Sequence, residues 1–199
     1  MSEKFAALVV DKSEEQYSVK VKTLSINDLS QGDVLIRVHY SSVNYKDSLA
    51  SIPNGNIVKS YPFVPGIDLA GVVVSSENPR FKEGDKVIAT SYGIGVSHYG
   101  GYSEFARIPS EWIVPLPKGL TLKEAMIIGT AGFTAALSVQ ALEEQHIAPD
   151  QGKVLVTGAT GGVGSFAVAI LSALGYTIEA STGKSSAEDY LKQLGAETI

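Results

Sequence analysis

Residues Val154–Gly175, VLVTGATGGVGSFAVAILSALG, decide how the chain is read. A short apolar run leads into a cluster of glycines, and a second apolar stretch of helical length follows. A buried strand that enters a glycine turn and then a helix points backbone amides and the positive helix end at one spot, which suits a pyrophosphate. The spacing Ala159-x-Gly161-x-x-Gly164 is G-x-G-x-x-G with alanine at the first glycine. That exchange is tolerable if the turn residue keeps φ below zero, and a turn with no ligand is the competing reading. The same letters also fit T-G-x-x-x-G-x-G from Thr157, as in short-chain dehydrogenases. In that family, however, the motif opens the chain and a Y-x-x-x-K pair follows, and neither holds here.

Working outward, Ala148–Gly152 reads as a turn, KVLVTG as a strand, Gly162–Leu174 as a helix and YTIEAST as a second strand. Ser185–Glu188 has the spacing of a capping box for a short helix to Leu194, and AETI begins a third strand. The result is β-α-β-α. The end of the second strand, where NAD sites place a carboxylate for the ribose 2′-hydroxyl, reads Ala180-Ser181-Thr182-Gly183-Lys184. Two hydroxyls and a lysine suit a 2′-phosphate that a carboxylate there would repel, so NADPH is favoured over NADH. Glu179, inside the strand, is the residue most able to spoil that preference, and a surface turn with an incidental lysine is the competing reading.

Toward the N-terminus the pattern changes. FAALVV, YSVKVKTL and Asp33–Val43 are rich in β-branched residues, and further strands are expected at Leu69–Ser75, Lys86–Ser91, Tyr102–Ile108 and Trp112–Leu116. In YSVKVK, Val19 and Val21 point one way and Lys20 and Lys22 the other, which predicts a strand wet on one face. Many short strands without intervening helices predict a barrel-like domain. Thr121 and Glu124 form a capping box ahead of a helical stretch to about Gln145, interrupted at Gly129 and Gly132.

Composition limits the function. The 199 residues are 44% hydrophobic and 19% charged, ordinary for a chain that buries a core. A net charge of -5 without blocks of either sign gives no footprint for nucleic acid or an anionic membrane. MSEKFAALVVDK lacks the features of a signal peptide, and no stretch approaches the length of a membrane span, so a cytoplasmic protein is expected. With no cysteine, disulfides and thiolate ligands are excluded, and the scattered His39, His98 and His146 lack ligand spacing; no metal site is expected.

SSVNYKDSLA (Ser41–Ala50), PGIDLAGVV (Pro65–Val73), EGDKV (Glu83–Val87), GGYSEFARIP (Gly100–Pro109), GTAGFTAALSV (Gly129–Val139) and VTGATGGVG occur in that order. Together they resemble the zinc-free medium-chain dehydrogenase/reductases of quinone oxidoreductase type. NYKD, SYGIGVSHYGGYSEF and ASTGK resemble more closely the acrylyl-CoA reductase subfamily of YhdH/YhfP type. The resemblance implies an α/β fold: an N-terminal GroES-like β-barrel domain over residues 1–120, then 121–199 as connecting helix and an incomplete Rossmann-type β-α-β-α half. Relative to the zinc enzymes of the superfamily, Asn44 stands where they have a cysteine and Ile67-Asp68 where they have a His-Glu pair.

The resemblance further implies NADPH-dependent reduction of an activated C=C bond, acryloyl-CoA to propionyl-CoA, with quinone reduction as the alternative. A non-catalytic nucleotide-binding or interaction protein is the alternative of a different class. Tyr45 is implied as the residue that contacts the nicotinamide or polarises the substrate, with Asn44 orienting it; packing without a chemical role is the competing reading for Tyr45. The cofactor contacts implied are Tyr45, Thr160, Gly161, Gly162, Val163, Gly164, Ser181, Thr182, Gly183 and Lys184. Asp47 and Asp68 are read as structural, holding loops through local hydrogen bonds. The partner expected is a small enoyl thioester or quinone, with homo-oligomers when full length. Because the family's chains continue well beyond this length, the expectation is a truncated form of impaired activity whose open sheet invites self-association.

Overall fold

Strands form where β-branched residues concentrate: β1 (Lys4–Lys12), β2 (Tyr17–Ser25), β3 (Val34–Ser41), β4 (Asp68–Ser76), β5 (Lys86–Thr90), β6 (Phe105–Ile108) and β7 (Ile113–Pro115). One short helix, α1 (Tyr45–Ala50), lies between β3 and β4. These assignments come from a computed structural model, which describes residues 3–13 and 16–199. The described chain divides into two compact units, the first ending at Thr130 and the second comprising Ala131–Ile199.

In the first unit five strands form an antiparallel sheet of order β6-β3-β4-β5-β7. Val34, Ile36, Leu69, Val87, Ile108 and Ile113 point into one core and are at most 1% exposed. Each such side chain contributes roughly 1.5–3 kcal/mol of burial. β1 and β2 form a separate hairpin, whose register corrects one expectation. Phe5, Ala7 and Val9 face a core and lie opposite Leu24, Lys22 and Lys20, so Val19 and Val21 fall on the other face, opposite Val10 and Leu8. Val21 is 70% exposed. The alternation in β2 is real, but pairing with β1 turns its lysine side toward the core face.

The helix α2 (Leu122–Glu144) starts at the expected capping box. The Glu124 amide donates to Thr121 Oγ1 at 3.2 Å, and the Thr121 amide donates back to the Glu124 carboxylate at 2.8 Å. Gly129, with φ 50° and ψ -160°, breaks the helix, whereas Gly132 remains helical. Against expectation, α2 is long and apolar enough by length and composition to cross a membrane, the one such helix among the described residues. The glycine break interrupts it, and part of its apolar surface packs inside the two units, while Ile127, Phe133 and Leu137 are exposed. Leu122, Ala125 and Met126 pack with Ala70 in the first. Val139 joins the core of the second.

The second unit runs β8 (Lys153–Thr157), α3 (Gly162–Ala173), β9 (Thr177–Ser181) and α4 (Glu188–Leu194), with β8 and β9 parallel. Val156, Ile178 and Ala180 meet Val168, Leu171 and Leu191 in its core. Thr198 bridges Glu179 in parallel, so the third strand begins beside the second, giving the 3-2-1 order of a doubly wound sheet. The capping box expected at Ser185–Glu188 does not form. Ser185–Ala187 tighten into a 3-10 turn and make no side-chain cap, and Glu188, now the first residue of α4, accepts from Lys192 Nζ at 2.6 Å.

Candidate functional site

In the first unit, the chain leaves β3, passes Ser42 and Asn44 and enters α1 beside the start of β4. Asn44 is the residue before α1, and its amide donates to Asp47 Oδ2 at 2.8 Å. Asp47 Oδ1 accepts from the Ile67 amide at 2.9 Å, so this buried carboxylate ties the α1 loop to the approach of β4. Asp47 therefore has the structural role read for it.

Asp68 does more than hold its own loop. It is 0% exposed, and donors from two distant segments, Ser42–Asn44 and Thr130, converge on it. Its Oδ2 accepts from Ser42 Oγ, from Asn44 Nδ2 at 2.9 Å and from the Thr130 amide at 3.0 Å, while Oδ1 accepts from Thr130 Oγ1 at 2.5 Å. No cation pairs with it among the described residues. A buried carboxylate without a counterion is costly to desolvate, and the four donors offset that cost. They also require glycine at 129. A Cβ there would lie 3.0 Å from Asp68 Oδ2 and 3.2 Å from Ser42 Oγ, at a φ that L-residues avoid. Tyr102 closes the cluster, its phenol donating to the Ser42 carbonyl at 3.1 Å. Burial, followed by the nearby charge of Asp47, pushes that phenol well above its ordinary range and keeps it a neutral donor.

Tyr45 is the first residue of α1 and 79% exposed, and its phenol makes no hydrogen bond among the described residues. The Asn44 carboxamide bonds Asp68 and Ser42 rather than the Tyr45 phenol. Sequence reasoning missed Ser42, Thr130 and Tyr102 as members of this cluster. They lie 26, 62 and 60 residues from the partners they bond, and no spacing rule connects them.

In the second unit the glycine loop has the geometry the motif requires. Gly158 takes the positive φ of 59°, so Ala159, wholly buried, is free of it, which is why alanine is accepted there. A Cβ on Gly164 would lie 2.4 Å from the Gly158 carbonyl oxygen, so the close approach of α3 to the end of β8 demands glycine. Gly161 precedes α3, and the amides of Gly162, Val163 and Gly164 open the helix, where no intrahelical carbonyl can reach them. A cleft of about 470 Å³ is lined by Thr157, Gly158 and Gly161–Gly164 together with side chains of α2 and α3.

The turn after β9 lies against this loop. The Ala159 amide donates to the Ser181 carbonyl at 3.1 Å, and Thr160 and Thr182 hydroxyls meet at 3.3 Å. The Lys184 amide donates to Thr182 Oγ1 at 3.1 Å, which shapes the turn over Gly183, and Lys184 itself is exposed. No carboxylate occupies Ser181–Lys184; Glu179 is two residues upstream, roughly 6–7 Å along the strand. Among the described residues no group of three or more His, Asp or Glu could hold a metal. His98 is buried with its ring nitrogens 2.8 Å from the Gln31 carbonyl and 3.1 Å from the Tyr99 carbonyl.

A β-rich unit followed by a β-α-β unit with a glycine loop between its first strand and helix is the plan of a medium-chain dehydrogenase/reductase. Residues 30–118 match the alcohol dehydrogenase GroES-like domain. The chain is 53% identical, over 98% of its length, to the acrylyl-CoA reductase AcuI of Ruegeria pomeroyi. Among solved structures it is similar to the YhdH oxidoreductase of Salmonella enterica in complex with NADP, at 49% identity over 98% of the chain and TM-score 0.95. It is also similar to the Bacillus subtilis protein YhfP with NAD bound, at 58% identity over 100% of the chain and TM-score 0.96. In sequence and in fold the chain is similar to the medium-chain dehydrogenase/reductases of quinone oxidoreductase type. It spans 60% of the length of each of these three relatives.

Proposed function

We propose that the chain is part of an NADPH-dependent reductase of activated C=C bonds, with acryloyl-CoA as substrate and propionyl-CoA as product. In this reading residues 1–120 are the catalytic domain and 121–199 the connecting helix and first half of the nucleotide domain. The observation that carries the cofactor reading is the contact of the glycine loop with the carboxylate-free turn after β9, through Ala159–Ser181 and Thr160–Thr182. The amides of Gly162–Gly164 and the helix N-terminus would hold the pyrophosphate. Ser181, Thr182 and Lys184 would hold the 2′-phosphate, with Thr160 and Gly183 shaping the pocket and Val163 beside it. The NAD-bound YhfP structure shows that a relative of this type takes NAD as well, so the NADPH preference rests on the turn.

When bound, the reduced nicotinamide supplies a hydride to the β-carbon of the enoyl thioester. Negative charge then develops on the thioester oxygen, and a proton completes the α-carbon. Tyr45, exposed and with an unused phenol, would donate to that oxygen without bringing charge. The substrate assignment draws its support from the AcuI relative. The test follows NADPH oxidation by the purified protein with acryloyl-CoA and, separately, with a quinone. Acryloyl-CoA-dependent oxidation lost in Tyr45→Phe supports the reading; oxidation with the quinone alone replaces it with quinone reduction, and NADPH binding without turnover on either replaces it with a non-catalytic role.

A further inference from the structure

The Asn44 side chain can be oriented from the chemistry around it. A carboxylate can only accept, and Asp68 Oδ2 lies 2.9 Å from Asn44 Nδ2. Ser42 has a single hydroxyl proton and gives it to Asp68, so toward Asn44 Nδ2, at 3.0 Å, it too can only accept. Both neighbours therefore require the NH2 end of the carboxamide. Rotating the group by half a turn would place its oxygen against a carboxylate and a lone pair. Nδ2 therefore faces Asp68 and Ser42, which lie together on one side of it and share one amide proton, and Oδ1, on a half-buried residue, has no hydrogen-bond partner among the described residues.

We infer that Asn44 serves its ligand as a hydrogen-bond acceptor, and that Asp68 is the positioning residue that holds it in that role. The ligand group it meets must be a donor. If the thioester that Tyr45 serves is reduced there, as the proposed function has it and on which this inference rests, the nicotinamide end of NADPH comes beside Asn44, and that donor is the carboxamide N–H or a ribose hydroxyl of the cofactor. A thioester oxygen gaining negative charge would be repelled by Oδ1, so that task falls to Tyr45. The sequence reading, in which Asn44 orients Tyr45, is replaced by one in which Asp68 orients Asn44 and Asn44 orients the cofactor.

The test is a double-mutant cycle on NADPH affinity, read by cofactor fluorescence on the full 199-residue chain, with thermal melting to confirm that each variant is folded. Asn44→Leu, which removes the acceptor, should weaken NADPH by about 5- to 10-fold, the loss of one hydrogen bond. Asn44→Ser serves the same purpose if the leucine variant does not fold. Asp68→Asn gives Asn44 a neighbour that can also donate, so the carboxamide is no longer held one way and affinity should fall several-fold. The double variant should bind no more weakly than Asn44→Leu alone, because Asp68 acts through Asn44. A merely structural role for Asp68 would give multiplicative losses and overturn the inference. So would Asn44→Leu binding NADPH within twofold of the parent. A parent that binds no NADPH overturns the proposed function and the ligand role with it. The orientation is still tested then by NMR, since the Asn44 side-chain amide proton shared by Asp68 and Ser42 should exchange slowly in the parent and rapidly in Asp68→Asn.

Discussion

Around Asp68 the polar side chains of the first unit are bonded to one another, whereas in the second unit the amides of Gly162, Val163 and Gly164 are left without an intrahelical acceptor. The first arrangement consists of side chains drawn from three distant segments. The second consists of backbone, with glycines chosen for what they lack. A backbone cradle leaves a local trace in sequence because glycine positions follow one another at fixed spacing. A side-chain cluster leaves none, because its spacing exists only after folding. The two regions should therefore fail differently when altered.

The largest effect is expected at Gly164. Gly164→Val drives a side chain into the Gly158 carbonyl, 2.4 Å from the nearest position a Cβ could take. Overpacking of this kind costs about 3 kcal/mol. Chemical denaturation should show that loss together with loss of NADPH binding, since the amides move with the helix. Retained binding at parental affinity would show that the loop is not the phosphate site.

Asp68→Leu comes next, at about 2 kcal/mol in denaturation. Ser42, Asn44 and the Thr130 amide lose their acceptor, each at a cost of roughly 1–3 kcal/mol if left buried, while relief of an unpaired buried charge offsets part of the total. A variant more stable than the parent would mean that the charge outweighs the donors, and that the cluster is kept for function alone.

A smaller effect concerns Tyr102. Its folded-state pKa is raised, so the protonated phenol is bound more tightly in the folded protein than in the unfolded chain. The stabilisation is fully present below the unfolded value of about 10 and is lost as pH rises beyond it toward the folded value. Stability measured from pH 8 to 11 should decline at the alkaline end. Tyr102→Phe should remove that part of the decline while costing about 1 kcal/mol at neutral pH for the bond to Ser42. An unchanged alkaline slope would place the titrating group elsewhere.

How much of this was readable in advance follows the same division. The strands, the Thr121–Glu124 cap, the break at Gly129 and the turn at Ala159 are local and were legible. The exposure of Val21 was not, because β2 pairs with β1 and buries none of its residues on either face. The Ser185–Glu188 box failed because Ser185–Ala187 form a 3-10 turn and α4 begins at Glu188, so Ser185 does not stand at its cap position. Asn44 and Tyr45 were visible only through resemblance to a family, and the convergence of Ser42, Asn44 and Thr130 on Asp68 required the folded chain.

The central claim is that the glycine loop and the turn after β9 form one NADP-selective pocket. It is tested most directly by titrating the protein and its Lys184→Glu variant with NADPH and with NADH. The parent should prefer NADPH. The variant should lose about 1–3 kcal/mol of NADPH affinity, the range of a charge-assisted hydrogen bond, and keep its affinity for NADH. Equal affinity of the parent for the two cofactors, or equal losses for both in the variant, would contradict the account.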